Sequence, residues 1–135
     1  MIVHGTAVAL SGRGVLMTGP SGSGKSALAL QLMAFGAQLV ADDRVMILRE
    51  GETLIASAPD AIRGLIEARG VGILNADPCT ARLVLAVDLS QTEDSRLPPM
   101  RHSFVHGLPL PLVLGQDAPH LPAAILQYLK AGRHS

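Results

Sequence analysis

One eight-residue stretch constrains this chain more than any other: Gly19, Pro20, Ser21, Gly22, Ser23, Gly24, Lys25 and Ser26. It reads G-x-x-x-x-G-K-S, follows a short apolar run and precedes a longer apolar run that ends at Phe35. Its three glycines permit tight turns, so that successive N–H groups and a helix N-terminus can face phosphate oxygens. In this strand–loop–helix context the pattern predicts a phosphate-binding P-loop made by these eight residues.

The two residues that end the motif predict the cofactors. Lys25 would lie against the terminal phosphates as a point charge. Ser26 would offer its hydroxyl oxygen to a magnesium ion. We therefore expect the chain to bind ATP together with Mg²⁺.

Length and composition limit the class of protein. From its length of 135 residues we expect the chain to form one domain, a single P-loop kinase domain over residues 1–135. Apolar residues make up 48% of the chain and aromatic residues only 2%, so the core is expected to consist of Leu, Val, Ile and Ala. The formal net charge is zero, and a neutral chain has no basic field for nucleic acid. A positive mean hydropathy favours self-association into a homo-oligomer.

Cysteine content and hydropathy indicate the compartment. Cys79 is the only cysteine, which excludes an internal disulfide and a cysteine-based zinc site. A buried thiol is the expected role for it. The sequence contains neither a signal-peptide pattern nor an apolar run of membrane-spanning length, so no membrane association is expected. The expected location is the cytoplasm.

Apolar and turn patterns around the motif predict an α/β fold. We expect a strand over residues 2–10 with Gly5 as a candidate bulge, and a second strand over residues 15–18. A helix over residues 26–35 is apolar on nearly every face, which predicts that it is buried between the sheet and another element. A strand over residues 38–41 follows. This β–P-loop–α–β order predicts parallel strands joined by a right-handed crossover.

The same patterns predict the remaining elements. They are a hairpin over 44–49 and 53–57, a short helix over 61–66, a strand over 82–89, a mobile loop over 90–100, a strand over 102–106, an edge strand over 108–114 and a final helix capped near Asp117 and ending at Ala131. Pro109 and Pro111 favour the edge position for the strand that contains them.

Three aspartates are candidates for the chemistry beside the phosphates. Asp42 and Asp43 end the strand that follows the P-loop helix, at the edge where ligands of open α/β sheets bind. Because successive strand residues face opposite ways, we expect only one of the pair to face the phosphates. Asp88 ends a strongly apolar strand and competes with both for the Mg²⁺ role.

Several other polar residues allow two interpretations from the residues alone. His4 is either a half-exposed strand histidine or a site residue. Glu67 and Arg69 either form a loop salt bridge or belong to a segment whose glycines let the backbone approach a ligand. His102 and His106 share a strand face, but without a third ligand they do not favour a metal site.

Four motifs together resemble the C-terminal catalytic domain of the bacterial HPr kinase/phosphorylase family. They are H-G-T before the P-loop, G-P-S-G-S-G-K-S, L-V-A-D-D-R-V after the helix, and G-L-I-E-A-R-G-V-G-I-L, and they cover roughly the first ninety residues. The resemblance implies a P-loop nucleotide-binding fold akin to the phosphoenolpyruvate carboxykinase nucleotide site. It also implies a kinase that phosphorylates a serine of the phosphocarrier protein HPr, a phosphate-driven reverse reaction, hexamers, and a short form without the regulatory N-terminal domain.

The resemblance also implies residue roles. His4 matches the active-site histidine of the family's H-G motif, and Asp43 matches the general base for the serine hydroxyl, with Asp42 assisting beside it. Glu67 matches the acid of the E-x-R-G signature, a Mg²⁺ ligand together with Ser26, so the resemblance favours Glu67 over Asp88. Arg96 is the candidate catalytic arginine, at a spacing one residue different from the family's.

Two departures from the family pattern accompany these roles. Ala27 stands where the family usually has an acid, and residues 113–119 lack the arginines of the family's loop for the reverse reaction. Two alternative functions stay open: a P-loop kinase acting on a small-molecule hydroxyl, and a non-catalytic ATP-sensing module.

Overall fold

The computed structural model describes all residues, 1–135, and contains eleven strands, two α-helices and one 3-10 turn. The strands are β1 (Ile2–His4), β2 (Thr6–Leu10), β3 (Arg13–Thr18), β4 (Gln38–Ala41), β5 (Arg44–Glu50), β6 (Thr53–Ser57), β7 (Leu65–Ala68), β8 (Gly72–Asn75), β9 (Ala81–Asp88), β10 (Arg101–Val105) and β11 (Leu108–Leu114). The helices are α1 (Lys25–Ala34) and α2 (Leu121–Ala131), and the 3-10 turn is Asp60–Ile62.

Nine strands form one sheet, and β7 and β8 form a separate hairpin. The main sheet runs in the order β1-β5-β6-β9-β3-β2-β4, and β11 pairs with both β9 and β10. Strands β3 and β11 lie parallel to β9, while β2 pairs antiparallel with β3 and with β4. Strand β4 therefore has the direction of β3. The carboxyl ends of β3, β4, β9 and β11 all lie at one edge of the sheet.

Buried apolar residues form two clusters on opposite faces of this sheet. Val15 and Met17 of β3 belong to the cluster that also contains the buried residues of α1 and α2. Leu16, between them in sequence, belongs to the other cluster, with residues of β5, β6, β10 and β11. This alternation is the two-residue period of a strand buried on both faces. Helix α1 packs against the sheet with one side and against α2 with another, as the apolar residues on nearly every face of α1 predict.

The structure confirms the α/β class but corrects several predicted elements. Residues 2–10 form two strands, because the chain leaves β5 at His4 and joins β3 from Thr6. The predicted helix over 61–66 is a 3-10 turn followed by β7. The final helix ends at Ala131 as predicted, although its N-cap is His120 and not Asp117.

Strand pairing also differs from the predictions. Strands β3 and β4 are parallel but not adjacent, because β2 lies between them. Strand β11 is not an edge strand, since β10 covers one side of it and β9 the other. Its two prolines, Pro109 and Pro111, precede the segment Leu112–Leu114 that pairs with β9, so neither of them faces that partner.

Neither α-helix has the length and apolar character needed to cross a bilayer.

Candidate active site

The P-loop joins the end of β3 to the start of α1, and its backbone depends on glycine. Gly19, Gly22 and Gly24 have φ values of 145°, 84° and 96°, in the left-handed region that side chains disfavour. A Cβ atom on Gly19 would lie 2.6 Å from the Ser23 hydroxyl oxygen. The three glycines therefore have the conformational role that the motif predicts.

Backbone amides at the start of α1 are free to bind an anion. The first helical hydrogen bond runs from the Leu28 N–H to the Gly24 carbonyl, at 2.9 Å. The N–H groups of Lys25, Ser26 and Ala27 have no backbone partner. Unpaired amides and the positive end of the helix dipole both favour a phosphate at this position.

Two side chains of the P-loop add further donors. The buried Lys25 ammonium donates to the carbonyls of Gly19, at 2.7 Å, and Pro20, at 3.1 Å, so it lies inside the loop. The Ser23 hydroxyl is buried without a hydrogen-bond partner. A buried unpaired hydroxyl is costly, and a polyphosphate in the loop supplies acceptors to both groups. The P-loop therefore fits the phosphates of a nucleotide.

Asp42 connects three other parts of the site through one buried carboxylate. One of its oxygens accepts hydrogen bonds from the hydroxyls of Thr6, at 3.0 Å, and Ser26, at 2.7 Å. The other accepts the backbone N–H of Glu67, at 3.0 Å. Because Ser26 donates its proton to Asp42, the lone pairs of its oxygen remain open to a cation.

Asp43 turns back toward the same site, which the sequence did not predict. It has a φ of 72°, a left-handed conformation that aspartate tolerates better than most residues, so the strand alternation ends at Ala41. Asp42 and Asp43 therefore line the same cavity, although successive residues of a continuing strand would face opposite ways. Which of the two faces the phosphates stays a prediction. The Asp43 carboxylate lies 3.1 Å from the His4 Nε2 atom, and both side chains are more than half exposed.

Gly5 positions this pair from the strand side. Its N–H donates to the Asp43 carbonyl at 3.1 Å, which ties the start of β2 to the turn. A Cβ atom at this position would lie 2.8 Å from the Met17 carbonyl oxygen. Glycine between His4 and Thr6 is therefore a steric requirement.

One cavity, of about 550 Å³, brings together most of the predicted site residues. We name it the transfer cavity; among the residues that line it are His4, Ser21, Gly22, Gly24, Lys25, Ser26, Asp42, Asp43, Glu67 and Arg69. Arg96 does not line it; this residue is exposed in the segment between β9 and β10. No cluster of three His, Cys, Asp or Glu side chains is placed to hold a metal without other ligands. Ser26 and Glu67 nevertheless fit Mg²⁺, which usually takes one or two protein ligands together with substrate phosphates and water.

Asp88 is used locally and does not line the transfer cavity. Its carboxylate accepts from the Ser90 N–H at 2.8 Å, the Ser90 hydroxyl at 2.6 Å and the Gln91 amide at 2.7 Å. Partial burial raises the pKa of Asp88, but these hydrogen bonds outweigh burial and hold its pKa below the ordinary value. This arrangement makes Asp88 a strand-end residue that organises the following turn.

Sequence reasoning missed Thr6. It is fully buried, and its hydroxyl bonds to the Asp42 carboxylate. The available signal was a hydroxyl residue at the start of the otherwise apolar strand T-A-V-A-L, since a buried hydroxyl in such a strand needs a polar partner.

Comparisons with known proteins agree with these motifs. A family model described as the HPr Serine kinase C-terminal domain matches residues 1–81. Among curated proteins, the HPr kinase/phosphorylase of Geobacillus thermodenitrificans is 57% identical over 74 residues, and that of Bacillus mycoides is 55% identical over 74 residues. These alignments cover 54% of this chain and 24% of each relative, so the matching segment is about a quarter of the relatives' length.

A solved structure is also similar over nearly the whole chain. The Hpr(Ser) kinase/phosphatase from Coxiella burnetii superposes with a TM-score of 0.82 at 29% identity. The match covers 96% of this chain and 88% of that one.

Proposed function

The chain belongs to the HPr serine kinase C-terminal domain family, and on that premise we propose that it transfers the γ-phosphoryl group of ATP to a serine of an HPr-type phosphocarrier protein. One observation carries the proposal. A single cavity joins the P-loop to an exposed carboxylate–histidine pair, Asp43 and His4, whose atoms lie 3.1 Å apart.

The P-loop end of the transfer cavity binds and aligns the nucleotide. The amides of Lys25 and Ser26 and the Lys25 ammonium surround the phosphates and offset the charge that develops on the transferred group. Lys25 exchanges its carbonyl partners for phosphate oxygens, which neutralise its charge better than neutral acceptors do.

Ser26 and Glu67 would hold a Mg²⁺ ion at the metal side of the site, where it would supply positive charge to offset that of the phosphates. Asp42 orients the Ser26 hydroxyl and, through the Glu67 N–H, fixes the end of strand β7 that carries the Glu67 carboxylate. Asp42 is thus a positioning residue. It is buried and its carboxylate holds three donors in place, whereas the carboxylate of Asp43 is exposed to an incoming hydroxyl.

Asp43 acts on the acceptor. Its carboxylate takes the proton of the attacking serine hydroxyl as the serine oxygen bonds to the γ-phosphorus and the bond to the ADP oxygen breaks. His4 bonds to the same carboxylate and holds it in place. Asp43 then releases this proton to solvent, to which its side chain is exposed.

The exposure of the base favours a protein acceptor over a small molecule. Asp43 and His4 are 68% and 54% exposed, so a serine on another protein's surface reaches them without entering a closed pocket. Val71 and Ile73 flank the site on the β7–β8 hairpin and are 75% and 63% exposed. Exposed apolar residues beside a polar site are typical of surfaces that bind proteins.

Self-association, with the family's hexamer as its form, and a cytoplasmic location belong to the same proposal. Ile2 and Met46 are paired across β1 and β5, and Leu48 follows on the same face; all three are exposed. Sedimentation at micromolar concentration tests assembly, and a monomer throughout would contradict it.

Replacing the base tests the mechanism. We expect Asp43→Asn to abolish transfer to purified HPr while the Kd for ATP stays within twofold of wild type, because Asp43 touches the acceptor and not the P-loop. Asp94→Asn, an exposed aspartate outside the cavity, is the matched control and should remain active. An active Asp43→Asn enzyme would refute the base assignment. ATP consumption without a phosphorylated protein would favour a small-molecule acceptor, and ATP binding without any transfer would favour a sensing module.

A further inference from the structure

The hairpin formed by β7 and β8, residues 65–75, is a separate body within the fold. It forms a two-stranded sheet of its own and shares no ladder with the main sheet. Glu67, Ala68, Arg69 and Val71 belong to this hairpin, and all four line the transfer cavity. The position of the hairpin therefore determines the shape of one wall of the cavity.

A single hydrogen bond joins this hairpin to the rest of the chain. It runs from the Glu67 N–H to the Asp42 carboxylate, at 3.0 Å. The bond from the Ala76 N–H to the Gly64 carbonyl, at 2.9 Å, closes the neck of the hairpin, and no backbone bond links residues 65–75 to another segment. A strand of the main sheet, by contrast, is bonded to its neighbours along its length, as β3 is to β2 and β9.

Apolar packing holds the hairpin only near its base. Ile66 is 1% exposed and belongs to the cluster that contains the buried residues of α1. Toward the tip, Arg69, Val71 and Ile73 are all exposed, and Arg69 takes part in no ion pair. Segments with few buried contacts and few hydrogen bonds to the rest of a protein open locally at low free energy.

Asp42 connects this hairpin to the start of α1. The same carboxylate accepts the Ser26 hydroxyl, at 2.7 Å, and the Glu67 N–H, at 3.0 Å. Ser26 lies on α1 and Glu67 on β7, so side chains that share one Mg²⁺ ion would join the hairpin to the helix by a second connection. This step rests on the metal site of the proposed function.

We propose that the β7–β8 hairpin is a movable wall of the transfer cavity. It opens in the free protein, and it stays closed against α1 when Ser26 and Glu67 share the metal of a bound nucleotide. The closed hairpin holds Arg69 and Val71 at the mouth of the cavity, where an acceptor protein meets them. Binding is therefore ordered: the nucleotide with its metal binds first and completes the surface for the acceptor.

The expected size of the effect follows from linkage. A ligand that binds only the closed hairpin, at a concentration one hundred times its Kd, stabilises the closed state about a hundredfold. Amide hydrogens of residues 66–74 that exchange through opening should therefore exchange up to about a hundredfold more slowly with the ligand bound.

Hydrogen exchange of the full chain tests this movement. We expect a non-hydrolysable ATP analogue with Mg²⁺ to protect both the P-loop and residues 66–74. The same analogue with EDTA, at a concentration that still protects the P-loop, should leave the hairpin at its unliganded rate. Residues 46–57, the hairpin of β5 and β6 within the main sheet, are the internal control and should not change. Hairpin exchange as slow without ligand as in this control, or equal protection with and without metal, would overturn the proposal.

Two variants separate the metal connection from nucleotide binding. Glu67→Gln should keep the protection of the P-loop and lose at least about tenfold of the hairpin protection. Asp88→Asn, which removes a carboxylate that does not line the cavity, is the matched control and should behave as wild type. Full hairpin protection in Glu67→Gln would overturn the proposal.

The outcomes also separate this proposal from the function on which it rests. In wild type with Mg²⁺ and the analogue, a protected P-loop with an unprotected hairpin would overturn the hairpin proposal alone, and no protection anywhere would overturn the nucleotide site as well. Titration with HPr tests the order of binding: its Kd should be at least about fivefold lower with Mg²⁺ and the analogue than with neither. An equal Kd would overturn the ordered binding.

Discussion

Removing one hydroxyl group tests whether the buried Asp42 carboxylate organises the site. Thr6→Val keeps the shape of the side chain and deletes the donor that reaches Asp42 at 3.0 Å. Thr6 is fully buried and Asp42 is 8% exposed, so water cannot replace the lost bond without opening the core. The substitution therefore isolates one hydrogen bond to a charged group.

The expected cost follows from this geometry. A hydrogen bond to a charged, buried group contributes about 2 kcal/mol to the free energy of unfolding. With a urea m-value of about 2 kcal/mol per molar, typical of domains near this size, the unfolding midpoint should fall by about 1 M. Urea unfolding followed by far-ultraviolet circular dichroism measures this shift directly.

Thr18→Val supplies the matched control. Thr18 ends β3, and its hydroxyl donates to the neutral Val87 carbonyl at 3.4 Å, a long bond on a partly exposed side chain. Its removal should cost less than about 0.5 kcal/mol. A Thr6→Val protein as stable as Thr18→Val would refute the organising role of the Thr6–Asp42 bond.

Three further predictions concern the metal, acid stability and the thiol. Glu67→Gln should raise the Mg²⁺ concentration required for half-maximal transfer roughly tenfold, whereas an unchanged requirement would refute Glu67 as a metal ligand. Partial burial raises the pKa of Asp88, but hydrogen bonds from Ser90 and Gln91 outweigh burial and hold this pKa below the ordinary value of 3.8. The ionised Asp88 carboxylate therefore stabilises the folded protein above pH 3.8, and this contribution is lost as the pH falls through the lower pKa of the folded state. An acid titration of Asp88→Asn should therefore show a shallower loss of stability in that range, and an unchanged curve would contradict this. Burial, with a smaller effect from the neighbouring Asp77 carboxylate, raises the pKa of the Cys79 thiol. Iodoacetamide should therefore modify Cys79 more slowly at neutral pH in the folded protein than in urea, because the thiolate is the reactive form. Equal rates of modification would contradict the structure.

Local sequence patterns predicted the phosphate side of the site because every part of it is contiguous. The P-loop conformation depends on glycines within one eight-residue stretch, which ends at Ser26 in the first turn of α1. Asp42 directly follows β4, the next strand in sequence. Residues 1–81, which match the family model, contain all the predicted site residues except Arg96. Every residue that lines the transfer cavity also falls within this range, and the roles that the resemblance implies for them stay predictions.

Strand pairing could not be predicted because it depends on distant residues. The position of β2 between β3 and β4 follows from antiparallel pairing on both of its edges, and no local pattern specifies the second partner. The place of β11 between β9 and β10 has the same cause. Pro109 and Pro111 indicated an edge strand, and this holds only for the first part of β11, which pairs with β10 on one side and has no strand on the other.

Two details of the site also needed three-dimensional information. The alternation rule placed Asp42 and Asp43 on opposite faces, but it holds only while the strand continues, and the left-handed turn at Asp43 ends it. Thr6 becomes a site residue only because β2 pairs with β4 and brings its hydroxyl to Asp42. Both depend on the packing of segments far apart in sequence.

We propose above that this chain phosphorylates a serine of an HPr-type protein. Mass spectrometry of purified HPr from the same source, after incubation with this protein, ATP and Mg²⁺, tests it most directly. We expect one added phosphoryl group on a serine with wild-type protein and none with Lys25→Ala or Asp43→Asn. Unmodified HPr with a wild-type protein that binds ATP, or the same modification with Asp43→Asn, would contradict it.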